Sequence, residues 1–129
     1  MVLPGVQALL GFQLVAVFNG GFRATLSHRE QLVHLAAILL VVTSVAIVMA
    51  PAAIHRMREP MSVSSGFVRL SSRLLMLGMI PLAIGMTADV YLVARIVSSS
   101  TIVATGAAII AIAAFFVLWL FIPLRAKLD

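Results

Sequence analysis

The chain of 129 residues contains no cysteine and only four acidic residues, and these two shortages exclude several classes of protein. Without cysteine there is no disulfide framework, no thiolate metal site and no thiol nucleophile. Charged residues make up 10% of the chain and hydrophobic residues 63%, which leaves too little charge to cover a soluble domain of this length. The composition therefore predicts a protein whose apolar surface lies in a lipid bilayer.

Catalytic motifs are missing as well. The sequence has no H-E-x-x-H, no G-x-S-x-G, no phosphate-cradling glycine loop and no pair of carboxylates within its apolar runs. It also shows no spacing of ligands that is typical of a metal site. The sequence thus favours a protein that is not an enzyme, with no catalytic residues, no metal and no cofactor.

Four apolar runs are present, and they predict helices over about residues 2–22, 32–54, 67–97 and 102–122. A helix needs about 20 apolar residues to cross the hydrocarbon core of a bilayer. The predicted fold class is therefore all-α, a polytopic membrane protein with four transmembrane helices in a compact antiparallel bundle. The connections are short, so residues 1–129 form a single transmembrane domain. Pro51 is expected to kink the last turn of the second helix and Pro123 to end the fourth.

Basic residues flank the apolar runs and give a formal net charge of +5. This placement suits anionic lipid headgroups and the setting of topology, and no basic surface with interleaved aromatic residues indicates nucleic acid. Four spans put both termini on one side. Arg56, Arg58, Arg69, Arg73, Arg125 and Lys127 lie on that side, and Arg23, Arg29 and Arg95 lie on the other. Six against three predicts cytoplasmic termini.

Asp89 is the one acidic residue inside an apolar run, in the stretch GMTADVYLVAR. A bare carboxylate in hydrocarbon is costly, so it must be paired, hydrated or protonated. Counted along the helices, Asn19 and His34 lie at a similar depth, and Arg23 follows the first helix. We therefore expect His34, Asn19 or Arg23, of the same or another subunit, to hold Asp89. Two interpretations stay open, a buried structural pair and a protonatable or cation-binding site.

Other polar residues form two further groups. On the cytoplasmic side lie His55, Arg56, Arg69 and Arg73, which are expected to contact lipid phosphates or, alternatively, to line an anion-attracting vestibule. Near the midplane lie Gln13, Thr43 and Ser44, which are expected to hydrogen-bond across helices.

Histidines in a helical bundle raise the alternative of haem. His34 and His55 lie 21 residues apart on one predicted helix, about 31 Å, so they cannot both ligate one haem. A bis-histidine site would need a symmetric copy of the chain.

Small residues recur at helical spacing on the last two predicted helices. The third helix carries Gly78, Pro81, Gly85 and Ala88, and the fourth carries Ala104, Ala107, Ala111 and Ala114. Such stripes let helix backbones approach closely in a membrane, so these two helices are expected to pack on each other. The alternative interpretation is a flexible Gly-Pro hinge.

Three segments, LLGFQLVAVFNGGF, PAAIHR and SSRLLMLGMIPLAIGMTADVY, carry a resemblance. Together they resemble an uncharacterised family of small bacterial four-helix integral membrane proteins. The motif-like positions are Pro51, His55, Arg56, Arg73, Pro81, Gly85, Asp89 and Tyr91. The resemblance implies a location in the bacterial cytoplasmic (inner) membrane and adds no mechanism.

Two classes of function remain. The first is an assembly or accessory subunit, or a homo-oligomeric membrane protein, whose partners are lipid and a second copy or another membrane protein. The alternative is an oligomeric channel or transporter for an ion or small solute that uses Asp89. The first is favoured because one subunit has too few polar residues to replace the hydration of a permeating ion.

Overall fold

The computed structural model of the chain describes residues 2–58 and 61–125, with the side chains of Val2, Leu3 and Arg23 outside the described set. Every regular element within these ranges is helical, which confirms the all-α class for this part of the chain. The elements are α1 (Val2–Phe18), α2 (Gly21–Thr25), α3 (His28–Arg58), α4 (Ser65–Ser98), α5 (Thr101–Phe116), a π-helical segment (Val117–Phe121) and α6 (Ile122–Arg125).

Three helices, namely α3, α4 and the continuous helix from Thr101 to Arg125, are long and apolar enough to cross a membrane. The first helix is apolar but shorter than the predicted span of residues 2–22, because α1 ends at Phe18. Asn19 accounts for this early end, since its Oδ1 accepts a hydrogen bond of 3.0 Å from the Gly21 N–H. That bond starts α2 as a separate short helix.

The second long helix, α3, extends beyond the predicted residues 32–54 at both ends. Ser27 and Glu30 form a capping box, in which Ser27 Oγ accepts from the Glu30 N–H at 3.3 Å and Glu30 Oε1 accepts from the Ser27 N–H at 3.4 Å. Pro51 lies inside the helix, which continues to Arg58. A proline removes one backbone donor but does not stop a helix whose other contacts are kept.

Serines set the boundaries of α4 and α5. Ser64 Oγ caps α4 by accepting from the Phe67 N–H at 3.1 Å, and Ser100 Oγ caps α5 by accepting from the Val103 N–H at 3.4 Å. Ser99 ends α4 in the left-handed conformation, with φ of 52°, so only Ser99 and Ser100 connect the two helices. Pro123, expected to end the last helix, lies within its final turn, since α6 runs to Arg125.

The glycine stripe of α4 packs on α3, and not on the last helix as the sequence predicted. A Cβ atom at Gly78 would lie 2.7 Å from Val48 Cγ2, and one at Gly85 would lie 3.1 Å from the Ala37 carbonyl oxygen. Glycine is therefore needed where the α3 and α4 backbones approach. In the alanine stripe of the last helix, Ala104 is completely buried and Ala114 is exposed.

One buried residue from each of three helices forms the core. Val6 of α1, Val41 of α3 and Leu82 of α4 pack together, and Trp119 packs against them from the π-helical segment. Around this apolar cluster, α1 lies antiparallel to α3, and α3 lies antiparallel to α4. The end of α1, the start of α3 and the end of α4 therefore lie at the same end of the bundle.

Candidate functional site

Asp89 is held by two side chains from two other helices. Asp89 Oδ1 lies 3.0 Å from His34 Nδ1, and Asp89 Oδ2 accepts a hydrogen bond of 2.5 Å from Gln13 Nε2. The ring of His34 also reaches α1, because its Nε2 lies 3.0 Å from the Gln13 carbonyl oxygen. We call Gln13, His34 and Asp89 the polar clasp, since they join α1, α3 and α4. The predicted contact between His34 and Asp89 is present.

Close helix packing positions the clasp. Gly85 lies one helical turn before Asp89, and its missing side chain lets α4 approach the Ala37 carbonyl of α3. Ala37 in turn lies one turn after His34 on the same face of α3. The glycine thus brings the carboxylate within hydrogen-bond distance of the imidazole. Both side chains are largely buried, with exposed fractions of 8% for His34 and 19% for Asp89.

The ring of His34 bonds on both sides. A carbonyl oxygen can only accept, so His34 Nε2 donates its hydrogen bond to Gln13. On the other side a hydrogen bond joins His34 Nδ1 and Asp89 Oδ1 at 3.0 Å. The imidazole therefore links the backbone of α1 to the carboxylate of α4.

The Gln13 side chain is engaged on one side only. Its Nε2 donates to Asp89, while its Oε1 is buried and has no hydrogen-bond partner among the described residues. Gln13 itself is only 3% exposed. The amide orientation follows from the carboxylate, which needs a donor and therefore faces the nitrogen. The free oxygen marks a place where a water or another donor fits.

A cavity of about 240 Å³ lies beside His34, at the end of the bundle where α3 begins. Polar atoms enter it from His34 and from Gln31 and His28, which lie one and two turns nearer the helix start. The Phe22 ring forms another wall and packs against the His34 ring at 5.4 Å between centroids. The cavity therefore lies directly against the imidazole of His34.

Asn19, which the sequence placed beside Asp89, lies elsewhere. It is exposed, and its side-chain oxygen accepts from the Gly21 N–H at the start of α2. Of the expected alternatives, His34 and not Asn19 bonds to Asp89 within this chain. The side chain of Arg23, the third predicted partner, lies outside the described residues.

Two of the three residues predicted at the midplane bond across helices. Ser44 is completely buried and its Oγ donates to the Gly78 carbonyl oxygen of α4 at 2.7 Å. Gln13 bonds to Asp89, so it belongs to the clasp and not to a separate middle layer. Thr43 stays within its own helix, where its Oγ1 donates to the Leu39 carbonyl at 2.8 Å.

The polar residues predicted on the cytoplasmic side lie at the end of α3 and α4 that is opposite to the clasp. His55 packs against the Phe67 ring at 5.1 Å between centroids, and its buried Nδ1 has no hydrogen-bond partner in the described ranges. Arg56, Arg69 and Arg73 are all exposed. Asp89 lies about 24 Å along α4 from Arg73, so the two polar groups are separate sites.

Ligand chemistry at the clasp is restricted by these bonds. Each ring nitrogen of His34 lies 3.0 Å from an oxygen atom, so ligation of a haem iron would break one of these two hydrogen bonds. Within residues 2–58 and 61–125 no group of three or more His, Asp or Glu side chains is arranged to hold a metal ion. The clasp is suited to holding α1, α3 and α4 together.

Gln13 is the clasp residue that sequence reasoning misplaced. The predicted first helix continued to residue 22, whereas α1 ends at Phe18, about one turn earlier. A helix counted one turn too long moves Gln13 toward the midplane and Asn19 to the depth of Asp89. An Asn-Gly-Gly sequence is a known signal for a helix end, and a helix that ends before Asn19 has its middle near residue 10 instead of 12, which moves Gln13 about 3 Å toward the depth of Asp89.

Comparison with known proteins gives a family and no further relative. No curated protein and no solved structure matches the chain. A protein-family model matches residues 1–123, almost the whole chain. The chain therefore belongs to DUF6328, a family of unknown function.

Proposed function

We propose that the chain is an integral membrane protein of the bacterial cytoplasmic membrane, with four spans and both termini in the cytoplasm. Three helices have the length and apolar composition that a span requires, and α1 adds a mostly apolar helix of 17 residues. Large apolar side chains are exposed along these helices, for example Phe12 at 77% and Ile110 at 71%. Lipid is the solvent that such a surface needs. A helix as short as α1, about 25 Å, fits a bilayer that thins locally.

Single-cysteine variants test this topology on a chain that has no native cysteine. Met61 lies between α3 and α4 and Ser99 between α4 and α5, and both are exposed. In intact cells an impermeant maleimide should label Ser99→Cys, and it should label Met61→Cys only after permeabilisation. Ser44→Cys, at a completely buried position, serves as the unlabelled control. Labelling of Met61→Cys and Ser99→Cys from the same side would contradict the proposed topology.

The proposed role is structural: a helix scaffold that assembles with a second copy or with another membrane protein. The observation that carries this proposal is that Asp89 already has two partners inside one chain. Ser44 is likewise engaged, by a backbone carbonyl. A permeation path needs polar groups that are free to replace the hydration shell of an ion. Between the clasp and the cytoplasmic group, the buried core of Val41 and Leu82 offers none.

The faces that remain for a partner lie on α1 and α5. Gly11 of α1 and Gly106 of α5 are helical glycines with nothing within 4 Å of an added Cβ atom. Within one chain they have no packing role, although glycine lowers helix stability relative to alanine. Small residues are the usual contact points between helices in a membrane. These open glycines support assembly with another helix.

A second candidate function is proton or cation handling at the clasp. It is favoured by the hydrogen bond between His34 and Asp89, by the unpartnered Gln13 Oε1 and by the cavity beside His34. Buried ionisable residues of membrane helices often serve such pathways. The site would need to exchange its proton with water through that cavity.

One experiment on purified protein separates the two candidates. The assembly role predicts that Gly106→Leu reduces the mass of the complex isolated in mild detergent, whereas Ile110→Leu, on the same helix, leaves it unchanged. It also predicts that proteoliposomes show no proton or potassium flux above empty liposomes. A flux that is present in the wild type and lost in Asp89→Asn would overturn the structural role and support the second candidate. Unchanged mass in Gly106→Leu would remove α5 as the assembly face.

A further inference from the structure

An apolar groove of about 580 Å³ lies between α4 and the last helix, away from the polar clasp. Its volume is that of a typical ligand pocket, although its walls carry hardly any polar atoms. Trp119 of the π-helical segment lies in one wall, where its ring packs on Phe115 with 4.8 Å between the ring centroids. The main wall residues are Met76, Ile80 and Ile84 on α4 and Phe116, Trp119 and Leu124 on the facing helix.

Two arginines continue the groove face of α4 toward the cytoplasmic end. Arg73 lies three residues before Met76, and Arg69 lies four residues before Arg73, so both share a helix face with Met76 and Ile80. Both arginines are exposed. In the described part of the chain the one ion pair is between His34 and Asp89, so neither guanidinium has a carboxylate partner. The groove thus has an apolar body and a positively charged mouth.

We infer that this groove binds an anionic phospholipid, with one acyl chain along the groove and the headgroup phosphate at Arg69 and Arg73. The inference rests on the proposed membrane location. Guanidinium groups match phosphate oxygens in geometry and in charge, and an acyl chain matches the apolar walls. A second copy of the chain is a poorer occupant, because in the same membrane orientation it brings equally basic residues to the same mouth.

Native mass spectrometry of the detergent-solubilised full chain tests the site. The probes are phosphatidylglycerol and phosphatidylcholine with identical acyl chains, titrated separately. The wild type is expected to bind phosphatidylglycerol more tightly. The double variant Arg69→Gln/Arg73→Gln should weaken that binding about 25-fold, at about fivefold for each guanidinium, and should bind both lipids alike.

Three further variants complete the design. Arg58→Gln removes one charge from the same side, at an exposed position of α3 away from the groove, and should keep the preference for phosphatidylglycerol, whereas Arg73→Gln should weaken it about fivefold. Ile80→Trp fills the groove from a position that is 55% exposed, and should weaken the binding of both lipids. Loss of the preference in Arg58→Gln as large as in Arg73→Gln would overturn the site. Unchanged lipid binding in Ile80→Trp would overturn the groove as the place of the acyl chain.

Failure of this inference differs from failure of the proposed function. If the chain stays in the membrane fraction after alkaline carbonate washing but shows no lipid preference, the lipid site is wrong and the membrane location holds. If the chain is released by carbonate, the membrane location is wrong and the lipid site falls with it.

Discussion

Replacing Asp89 by leucine is expected to lower the free energy of unfolding by about 2–4 kcal/mol, because it strands two buried polar groups at about 1–2 kcal/mol each. These groups are His34 Nδ1 and Gln13 Nε2, which both bond to the carboxylate. The measurement is the unfolding midpoint on addition of SDS to protein in mild detergent. Trp119, the one tryptophan of the chain, reports it by fluorescence because it packs against the core cluster.

Asp89→Asn is the matched control and should stay within about 1 kcal/mol of the wild type. The asparagine NH₂ can donate to Nδ1 of a neutral His34, and its oxygen can accept from Gln13 Nε2, so the hydrogen bonds of the clasp are kept. An equal loss in Asp89→Asn and Asp89→Leu would mean that hydrogen bonding at the clasp does not hold the helices. No loss in either variant would mean that the clasp contributes no stability.

Gly78→Leu and Gly85→Leu are each expected to cost about 3 kcal/mol or more, since the new side chains must push α3 and α4 apart. At Gly78 the first added carbon atom already lies 2.7 Å from Val48 Cγ2. At Gly85 it meets the Ala37 backbone oxygen at 3.1 Å, which cannot move as a side chain can. Gly85→Leu should in addition weaken the clasp, because it moves Asp89 away from His34. The SDS midpoint again measures both effects.

Gly5→Leu is the control for these variants. A Cβ at Gly5 has nothing within 4 Å, so stability should stay the same or rise slightly through better helix propensity. Wild-type stability in Gly85→Leu would contradict the close approach of α3 and α4. A loss in Gly5→Leu as large as in Gly85→Leu would show that glycine replacement acts without regard to helix packing.

The helices of this chain could be predicted because their signals are local. Long apolar runs without charge indicate spanning helices, and Ser64 and Ser100 stand where α4 and α5 need their caps. Pro123 was the weaker signal, because it lies within the last helix, which continues to Arg125. There the proline removes one backbone donor without ending the helix.

The site was predictable only in part. Asp89 stands out in the sequence because an isolated carboxylate in an apolar run needs a partner, and His34 was near enough in depth to be one of three choices. Gln13 was not among these choices, because the predicted first helix ran to residue 22 and placed Gln13 near the midplane. The helix in fact ends at Phe18, a difference of about one turn that the apolar composition of the run does not reveal. The helix that packs on Gly85 also could not be predicted from the sequence. A stripe of small residues indicates that another helix approaches closely, but it does not indicate which helix.

The connection of Ser99 and Ser100 between α4 and α5 limits how these two helices can be arranged. Two connecting residues span three Cα–Cα steps, at most about 11 Å, and packed helix axes lie about 8–10 Å apart. The start of α5 therefore has to lie beside the end of α4, and Ser99 in the left-handed conformation forms the reversal. A longer connection would be needed before α5 could begin beside any helix other than α4.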